Sequence, residues 1–526
     1  MRETKPFGGS YLLDQLDKLK TSFDPRDAKR IQLLLERLAR KRLNDAEELI
    51  RLHELLLFVR AYPHNAEVAR LAEEQLRAFA GRVSKLRERE MDLSSLEHPS
   101  VSGIAGTSVS DTFSFYIVRW LVECYPTQLE IYWEWFENEN RLAETWPRFM
   151  PLLEEDANVE ANVPYRMWLA AARGRQSEIS WLVERFDELA KRDRDKAELY
   201  DSQQIYVQWT PRFRSTRTGL RAPESRVFYH REPFIQRRDV NLRNELNAPS
   251  PAFRKLSRRD GERALDLALE ASTIRYRELY GFTHGDPADV YQIDLGRGVQ
   301  LHLFGLPPEK RLPLRASHAT MIYKNGVPIG YFEGLSLFER MESGFNLYYT
   351  FRDGETAWLY ARILNVMRHF AGVTAFAIEP YQIGHENEEG IESGAFWFYR
   401  KLGFRSTERD AMRLTEKEEQ KIAERKGYRT SAQTLRKLAE SPMIFELDQK
   451  RAGDWDRFQI RKIGLRIQGR EFESLASLVR EASWTRDERQ MLERIVRAKR
   501  TAEETTYLKL MQRHERLRAE IIALGS

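Results

Sequence analysis

Cysteine is nearly absent from this sequence, in which Cys124 is the single cysteine among 526 residues. One cysteine excludes a disulfide-stabilised scaffold and a zinc site built on several cysteine ligands. The ten histidines lack the spacing of a motif such as H-E-x-x-H, so we predict no metal site. No stretch reaches the roughly 18 uncharged apolar residues that a membrane-spanning helix needs, so no membrane partner is predicted. The first residues, MRETKPFGGSYLL, contain no apolar signal core, and we therefore expect a cytoplasmic protein.

Charged residues of both signs are abundant, with 85 Lys and Arg against 80 Asp and Glu. Aromatic residues make up 11% of the chain, which excludes a fully disordered protein because they can bury enough apolar surface to offset chain entropy. At roughly 150 residues per domain, the length predicts about three or four domains. The near balance of charge neither requires nor excludes a nucleic-acid partner, so the distribution of charge along the chain matters more.

The spacing of apolar residues divides the chain into four parts. Residues 1–200 show helical spacing with short connections, which predicts an all-α domain. Residues 260–410 begin with a predicted helix to Tyr280, change to strand-like alternation from about 289, and predict an α+β domain with a mixed, mostly antiparallel sheet. Asn325-Gly326 predicts a two-residue hairpin turn within it, since both residues tolerate positive φ. Residues 411–526 return to charged helices and predict a C-terminal all-α region.

The remaining part, residues 201–259, is predicted to be a basic linker or arm rich in proline and arginine. From 205 to 259 it carries 13 Lys and Arg against four Asp and Glu, and five prolines interrupt regular structure. Three interpretations remain open for its charge. Arginines mixed with phenylalanines and tyrosines could bind RNA or single-stranded DNA, they could pair with acidic faces of the helical domains, or they could form a basic rim that attracts a phosphate-bearing substrate such as acyl-CoA.

The segment SGAFWFYRKLGF, residues 393–404, carries the most specific pattern in the chain. It follows a predicted strand at 373–379, which itself follows a strand–loop–helix unit. Over residues 289–410 this order resembles the GNAT superfamily of acyl-CoA N-acyltransferases, whose later motif reads A-x-x-(F/W)-Y-x-K-x-G-F. The residues that match this motif are Ala395, Phe398, Tyr399, Lys401, Gly403 and Phe404.

The resemblance implies a GNAT-like fold and transfer of an acyl group from coenzyme A, or a related thioester, to an amine on a small molecule or protein. It implies that Tyr399 is the general acid that protonates the leaving thiolate. The general base would be a carboxylate beside the strands; Glu379 is the first candidate, and Glu333 and Glu342 are the others. Backbone amides of the strand predicted at 344–351 would polarise the thioester carbonyl.

The family's pyrophosphate loop, Q/R-x-x-G-x-G/A, holds the diphosphate of coenzyme A at the N-terminus of a helix. The residues at this place are Arg352, Asp353, Gly354, Glu355, Thr356 and Ala357, and the resemblance implies that they bind the coenzyme. Gly354 comes one residue earlier than the pattern requires, and Asp353 and Glu355 add negative charge beside a polyanion. Two alternative functions therefore stay open: a non-catalytic binding or scaffold protein with a decayed cofactor loop, and nucleic-acid binding through the basic arm.

Overall fold

The computed structural model describes residues 8–150, 152–223, 226–467 and 484–526. The chain forms two compact units. The first comprises Met1–Lys20, Pro25–Arg221 and Leu267–Leu279, and the second comprises Thr21–Asp24, Ala222–Asp266 and Tyr280–Ser526. The predicted basic linker, residues 201–259, is thus divided between the units after Arg221. No helix among the described residues is long and apolar enough to cross a membrane.

Helices make up most of the first unit, as their apolar periodicity predicts. Asp45 and Asn65, recognisable in the sequence as N-caps, accept hydrogen bonds from the backbone amides of Glu48 and Val68 at the start of two helices. The helices are α1 Gly9–Leu19, α2 Pro25–Arg40, α3 Ala46–Ala61, α4 Ala66–Arg77, α5 Phe79–Arg87, α6 Phe115–Cys124, α7 Glu139–Thr145, α8 Leu152–Ala161, α9 Tyr165–Ala172, α10 Glu178–Glu188 and α11 Asp193–Gln203.

A small antiparallel sheet lies in the first unit and corrects the all-α prediction for residues 1–200. Its strands, in the order β1-β3-β2, are β1 Val109–Asp111, β2 Leu129–Ile131 and β3 Val207–Trp209. Each strand has three residues, which is too short to show a clear alternating pattern. The central strand β3 comes from the segment predicted as a linker, and its Trp209 is fully buried. Local periodicity therefore carried no signal of this pairing.

A nine-stranded sheet organises the second unit, in the order β11-β12-β10-β9-β8-β7-β6-β5-β4. All neighbouring strands are antiparallel except β9 and β10, which run parallel, so the predicted mixed and mostly antiparallel sheet is confirmed. The strands are β4 Phe253–Lys255, β5 Val290–Gly296, β6 Val299–Phe304, β7 Ala316–Lys324, β8 Val327–Leu337, β9 Arg340–Leu347, β10 Ala375–Ile378, β11 Arg405–Ser406 and β12 Met443–Glu446.

Two-residue turns connect the central hairpins of this sheet. Asn325 and Gly326 join β7 to β8 with φ of 48° and 76°, which confirms the turn predicted from their sequence. Arg297 and Gly298 join β5 to β6 with φ of 52° and 72°. This second hairpin is not evident from the sequence, because arginine at a positive-φ position gives no turn signal of its own.

Two strands of this sheet, one near each end, lie outside the predicted α+β part at 260–410. Edge strand β4 comes from the predicted linker, and β12 comes from the C-terminal region predicted to be all-α. The remaining helices are α12 Leu242–Asn247, α13 Arg258–Thr273, α14 Tyr280–Thr283, α15 Thr356–Ala371, α16 Pro380–Ile383, α17 Glu388–Glu392, α18 Ala395–Lys401, α19 Arg409–Glu424, α20 Ala432–Leu438, α21 Ile460–Ile467, α22 Arg486–Thr501, α23 Glu504–Gln512 and α24 Glu515–Gly525. Helix α13 contributes residues to both units.

Candidate functional site

The two parallel strands of the large sheet, β9 and β10, pair over only three residues of each strand. Arg340 pairs with Ala375, and the last pair is Glu342 with Ala377. Strand β9 then continues to Leu347 along β8, whereas β10 ends at Ile378 and turns into α16. In the described part of the chain, the second half of β9 therefore has no strand on its β10 side, which leaves a gap in the sheet.

A cavity of about 480 Å³ lies at this opening. Residues from four stretches line it: 235–237, 345–347, the loop and helix start at 352–357 without Glu355, and positions between 382 and 399. Phe345 and Asn346 both belong to this lining although neighbouring strand residues point to opposite faces of a sheet. The cavity therefore follows the edge of β9 beside the gap.

The N-terminus of α15 forms one wall of the cavity. Gly354, Thr356 and Ala357 line it, and the N-cap residue of this 16-residue helix supplies no side-chain hydrogen bond to the first turn. The first intrahelical bond of this turn is donated by the Leu359 amide to Glu355 O, so the preceding amides have no partner of that kind. Backbone N–H groups and the helix dipole together favour an anion at such a helix end.

Glu355 does not line the cavity, contrary to the expectation that it contacts a coenzyme. Its side chain is 3% exposed and forms hydrogen-bonded ion pairs with Arg297, at 2.6 and 3.0 Å. It also accepts the Ile235 amide at 3.0 Å and lies 4.0 Å from Lys324 Nζ. The Glu355 charge is therefore compensated within the protein and faces away from the place where a polyanion would bind.

Two other loop residues keep polar side chains at the cavity. Arg352 donates to the Leu347 carbonyl at 3.1 Å, forms an ion pair with Glu389 and lies 4.2 Å from the ring centroid of Tyr349. Asp353 is exposed and lines the cavity beside Gly354. Arg352 thus connects the loop to β9 through the Leu347 carbonyl, and Asp353 is an acidic residue of the loop at the cavity.

Tyr399, the proposed general acid, lies on α18 and lines the same cavity. Its side chain is 4% exposed and packs edge-on against Tyr360 and Phe404, with ring centroids 5.6 Å apart in both pairs. Burial raises the pKa of Tyr399 above its usual value, so the phenol stays protonated at neutral pH. Among the described residues its hydroxyl has no hydrogen-bond partner. A neutral proton donor is thus available to a molecule in the cavity.

The candidate bases Glu333 and Glu379 differ in their surroundings, and neither of these two residues lines the cavity. Glu333 lies directly opposite Gly344 in the β8–β9 pairing, and burial raises the pKa of Glu333. No described residue forms an ion pair or hydrogen bond with its carboxylate. Glu379 follows β10; partial burial and the neighbouring Glu342 raise its pKa, while an ion pair with Arg340 at 3.3 Å opposes the rise.

Gly344 connects Glu333 to the cavity. A Cβ atom at Gly344 would lie 3.6 Å from the side-chain amide of Gln382, which lines the cavity. Since Glu333 is the direct cross-strand neighbour of Gly344, its side chain points to the same face of the sheet. Glu333 and Gly344 thus lie on the sheet face next to Gln382.

Two cations near the cavity had no assigned role in the sequence analysis. Arg237, from the predicted basic arm, is exposed and lines the cavity. Burial lowers the pKa of Lys401, and the charge of Arg237 lowers it further, which places the two cations close together. Neither side chain forms an ion pair with any residue in the described part of the chain. In the sequence, Arg237 belongs to the basic stretch for which a basic rim was one interpretation, and Lys401 belongs to the matched motif.

Several other cations of the predicted arm pair within the protein. Arg217 and Arg221 lie 2.9 and 3.6 Å from the carboxylates of Glu54 and Glu73 in the first unit. In the second unit, Lys255 lies 2.7 Å from Glu503. For these residues the interpretation that the basic stretch pairs with acidic groups of the protein is confirmed, and the charge left for nucleic acid is smaller than the sequence suggests.

Among the described residues, no group of three or more His, Cys, Asp and Glu side chains is arranged to hold a metal ion. Comparison with known proteins adds no assignment: no family model matches this chain, and no curated protein or solved structure matches it either.

Proposed function

We propose that this protein is a GNAT-like acyltransferase that moves an acyl group from coenzyme A, or a related thioester, to an amine. One observation carries the proposal. The unpartnered hydroxyl of Tyr399 and the uncapped N-terminus of α15 line a single cavity, at the point where β9 and β10 stop pairing. A thioester with a phosphate-bearing tail needs these two features together: an anion site and a proton donor for the sulfur.

The donor's phosphates would bind at the first turn of α15 and at the cations beside it. Amides at Thr356 and Ala357 suit a diphosphate. Arg237 and Lys401, which lack ion pairs in the described structure, suit a further phosphate and would also attract the donor from solution. The pairing of Glu355 with Arg297 supports a working loop over a decayed one, because it removes one of the two charges that opposed anion binding.

The acyl chain and thioester would lie along the open half of β9. Residues 345–347 line the cavity there, and their backbone groups lack a β10 partner. An amide N–H on this edge can donate to the thioester oxygen as negative charge develops on it. The amine nitrogen attacks the carbonyl carbon, the C–S bond breaks, and Tyr399 gives its proton to the leaving sulfur, which yields an amide and a free thiol.

The proton lost by the amine requires a base, and Glu333 suits this role better than Glu379. The Glu333 carboxylate has no cationic partner in the described structure, and its pKa is raised by burial, which makes it a stronger base than an exposed glutamate. Glu379 is held by Arg340 at 3.3 Å. Glu333 therefore replaces Glu379, the first candidate from the sequence, as the proposed base.

The test is amine-dependent release of thiol from acetyl-CoA and from longer acyl-CoAs, measured against a panel of small amines and basic peptides. We expect release that requires an amine. Glu333→Gln should lower kcat by about 10²-fold or more, whereas Glu379→Gln should have a small effect. Thiol release that is independent of amine would indicate hydrolysis instead. No release with any donor or acceptor would favour the non-catalytic alternative.

A further inference from the structure

The first unit contains a separate cavity of about 580 Å³ beside the small sheet. Strand β1 lines it through Ser110 and Asp111, and β3 does so through Gln208. Glu97 comes from the segment after α5, and Tyr276 follows α13. All of these residues belong to the same unit, and none takes part in the proposed acyl-transfer chemistry.

Aromatic rings form one wall of this cavity. Tyr132, Trp135 and Tyr206 contact one another, with ring centroids 5.5 Å apart for Tyr132 and Trp135 and 5.6 Å apart for Trp135 and Tyr206. Trp135 is 50% exposed, although a large aromatic side chain on a small folded unit is usually more buried. Tyr276 lines the cavity as well, and its backbone adopts positive φ, 52°.

Two carboxylates lie beside these rings without a cation. Neither Glu97 nor Asp111 forms an ion pair within the described residues. Asp111 accepts the Thr112 amide at 2.8 Å, and burial raises the pKa of the Asp111 carboxyl. Burial also raises the pKa of Tyr206, and the charges of Asp111 and Glu97 add to this effect, so both carboxylates lie close to the aromatic wall.

The basic residue in the lining does not neutralise these acids. Arg87 donates to the backbone carbonyl of Gly106 at 2.9 Å instead of to a carboxylate. Two hydroxyls of the lining are engaged within the protein, since Thr107 donates to the Ile104 carbonyl and Ser108 shares a hydrogen bond with Thr210. The lining offers a ligand aromatic faces and two carboxylates, beside the polar side chains of Ser110 and Gln208.

We propose that this cavity binds an organic ammonium ion, such as an alkylamine or a lysine-like side chain. A cation over tyrosine and tryptophan rings is attracted by the negative faces of the ring quadrupoles. A half-buried carboxylate that lacks a counter-charge gains further when a cation arrives, because the cost of its partial desolvation is then compensated. A neutral polyol would offer neither interaction and would find the hydroxyls of Thr107 and Ser108 already bonded.

Isothermal titration calorimetry at low ionic strength tests this proposal with four probes: n-butylammonium chloride, tetramethylammonium chloride, n-butanol and methyl glucoside. We expect both cations to bind with one site per chain and both neutral probes to give no binding heat. The Glu97→Gln/Asp111→Asn variant should weaken cation binding by about tenfold or more, which corresponds to 1.4 kcal/mol. Glu123→Gln, which removes an exposed carboxylate of α6 outside the cavity, is the matched control and should bind as the parent protein does.

Trp135→Ala gives an independent test, because half of this side chain is exposed and its removal leaves the core of the unit intact. It should weaken tetramethylammonium binding without lowering the melting temperature. Absence of binding by both cations, equal binding of n-butanol, or cation binding that is unchanged in the double variant and in Trp135→Ala would overturn the proposal. Binding of methyl glucoside alone would replace it with a carbohydrate site.

Discussion

Two tyrosines packed against each other differ in what their hydroxyls do. Tyr360 is fully buried, and its hydroxyl shares a hydrogen bond of 2.9 Å with Ser343 Oγ. Tyr399 lies 5.6 Å away between ring centroids, lines the cavity, and has no hydrogen-bond partner among the described residues. The same substitution, tyrosine to phenylalanine, therefore removes a structural bond in one case and the proposed proton donor in the other.

Tyr399→Phe should lower kcat for acyl transfer by about 10²–10⁴-fold and leave the melting temperature unchanged, since no internal hydrogen bond is lost. Tyr360→Phe should cost roughly 0.5–1.5 kcal/mol of unfolding free energy, because the buried Ser343 loses the shorter of its two hydrogen bonds. Turnover and thermal denaturation are measured together on both variants. A destabilised Tyr399→Phe protein with full turnover per folded molecule would make Tyr399 a packing residue only.

Glu333→Gln should stabilise the protein at neutral pH while it abolishes the proposed base. Burial raises the Glu333 pKa, so the folded state disfavours the carboxylate that forms as pH rises. Below the pKa of an unfolded glutamate, the side chain is protonated in both states and the substitution should be neutral. Above it, the melting temperature of Glu333→Gln should increasingly exceed that of the parent, up to the raised pKa. An equal or lower melting temperature of the variant at pH 8 would show that the carboxylate has a favourable partner.

At the scale of elements, the start of α15 is fixed by an ion cluster behind the cavity. Glu355 binds Arg297 from the β5–β6 turn and accepts the amide of Ile235, which precedes the cavity residue Arg237. Lys324 is fully buried beside it, and burial lowers the pKa of this lysine to about 7. The Glu355 carboxylate thus connects the start of α15 to the β5–β6 turn and to the segment that contains Arg237.

Glu355→Gln should destabilise the second unit by about 3–5 kcal/mol, because it leaves the partly buried Arg297 guanidinium without its anion. Glu389→Gln is the matched control on the other side of the loop. It removes the ion pair with Arg352, whose partners are 31% and 44% exposed, and should cost about 1 kcal/mol or less. Urea denaturation measures both. Equal effects of the two substitutions would contradict the role given to the buried cluster.

The elements that could be predicted from sequence are those whose signal is local. The Asn325-Gly326 turn and the caps Asp45 and Asn65 were readable because a few adjacent residues determine their conformation. The pairing of β1 with β3 was not, since it joins three-residue strands separated by about a hundred positions. The segment predicted as an arm forms β3, α12 and β4 because its short apolar pieces pack against distant elements, which local composition does not reveal.

At the scale of the whole molecule, the two cavities lie in different units and differ in the groups that they offer to a ligand. The cavity at β9 combines a helix N-terminus with Arg237, and the one beside the small sheet combines aromatic rings with Glu97 and Asp111. The motif predicted that Tyr399 and residues 352–357 belong to one site, and all of them except Glu355 line the first cavity. The gap in the sheet, the inward turn of Glu355 and the contribution of Arg237 depend on strand register and chain path, so they required the structure.

The proposed function requires that the β9 cavity binds a coenzyme A thioester. Calorimetric titration of coenzyme A tests this binding most directly. We predict one site per chain, binding that weakens with ionic strength, and affinity at least about tenfold lower in Arg237→Ala/Lys401→Ala. The control Arg238→Ala removes a neighbouring cation whose side chain is 86% exposed and which does not line the cavity, and it should bind normally. At a concentration of 100 Kd, coenzyme A should also stabilise the protein by about 2.7 kcal/mol. No binding heat at millimolar coenzyme A, or binding that the double variant leaves unchanged, would contradict the assignment of the cavity.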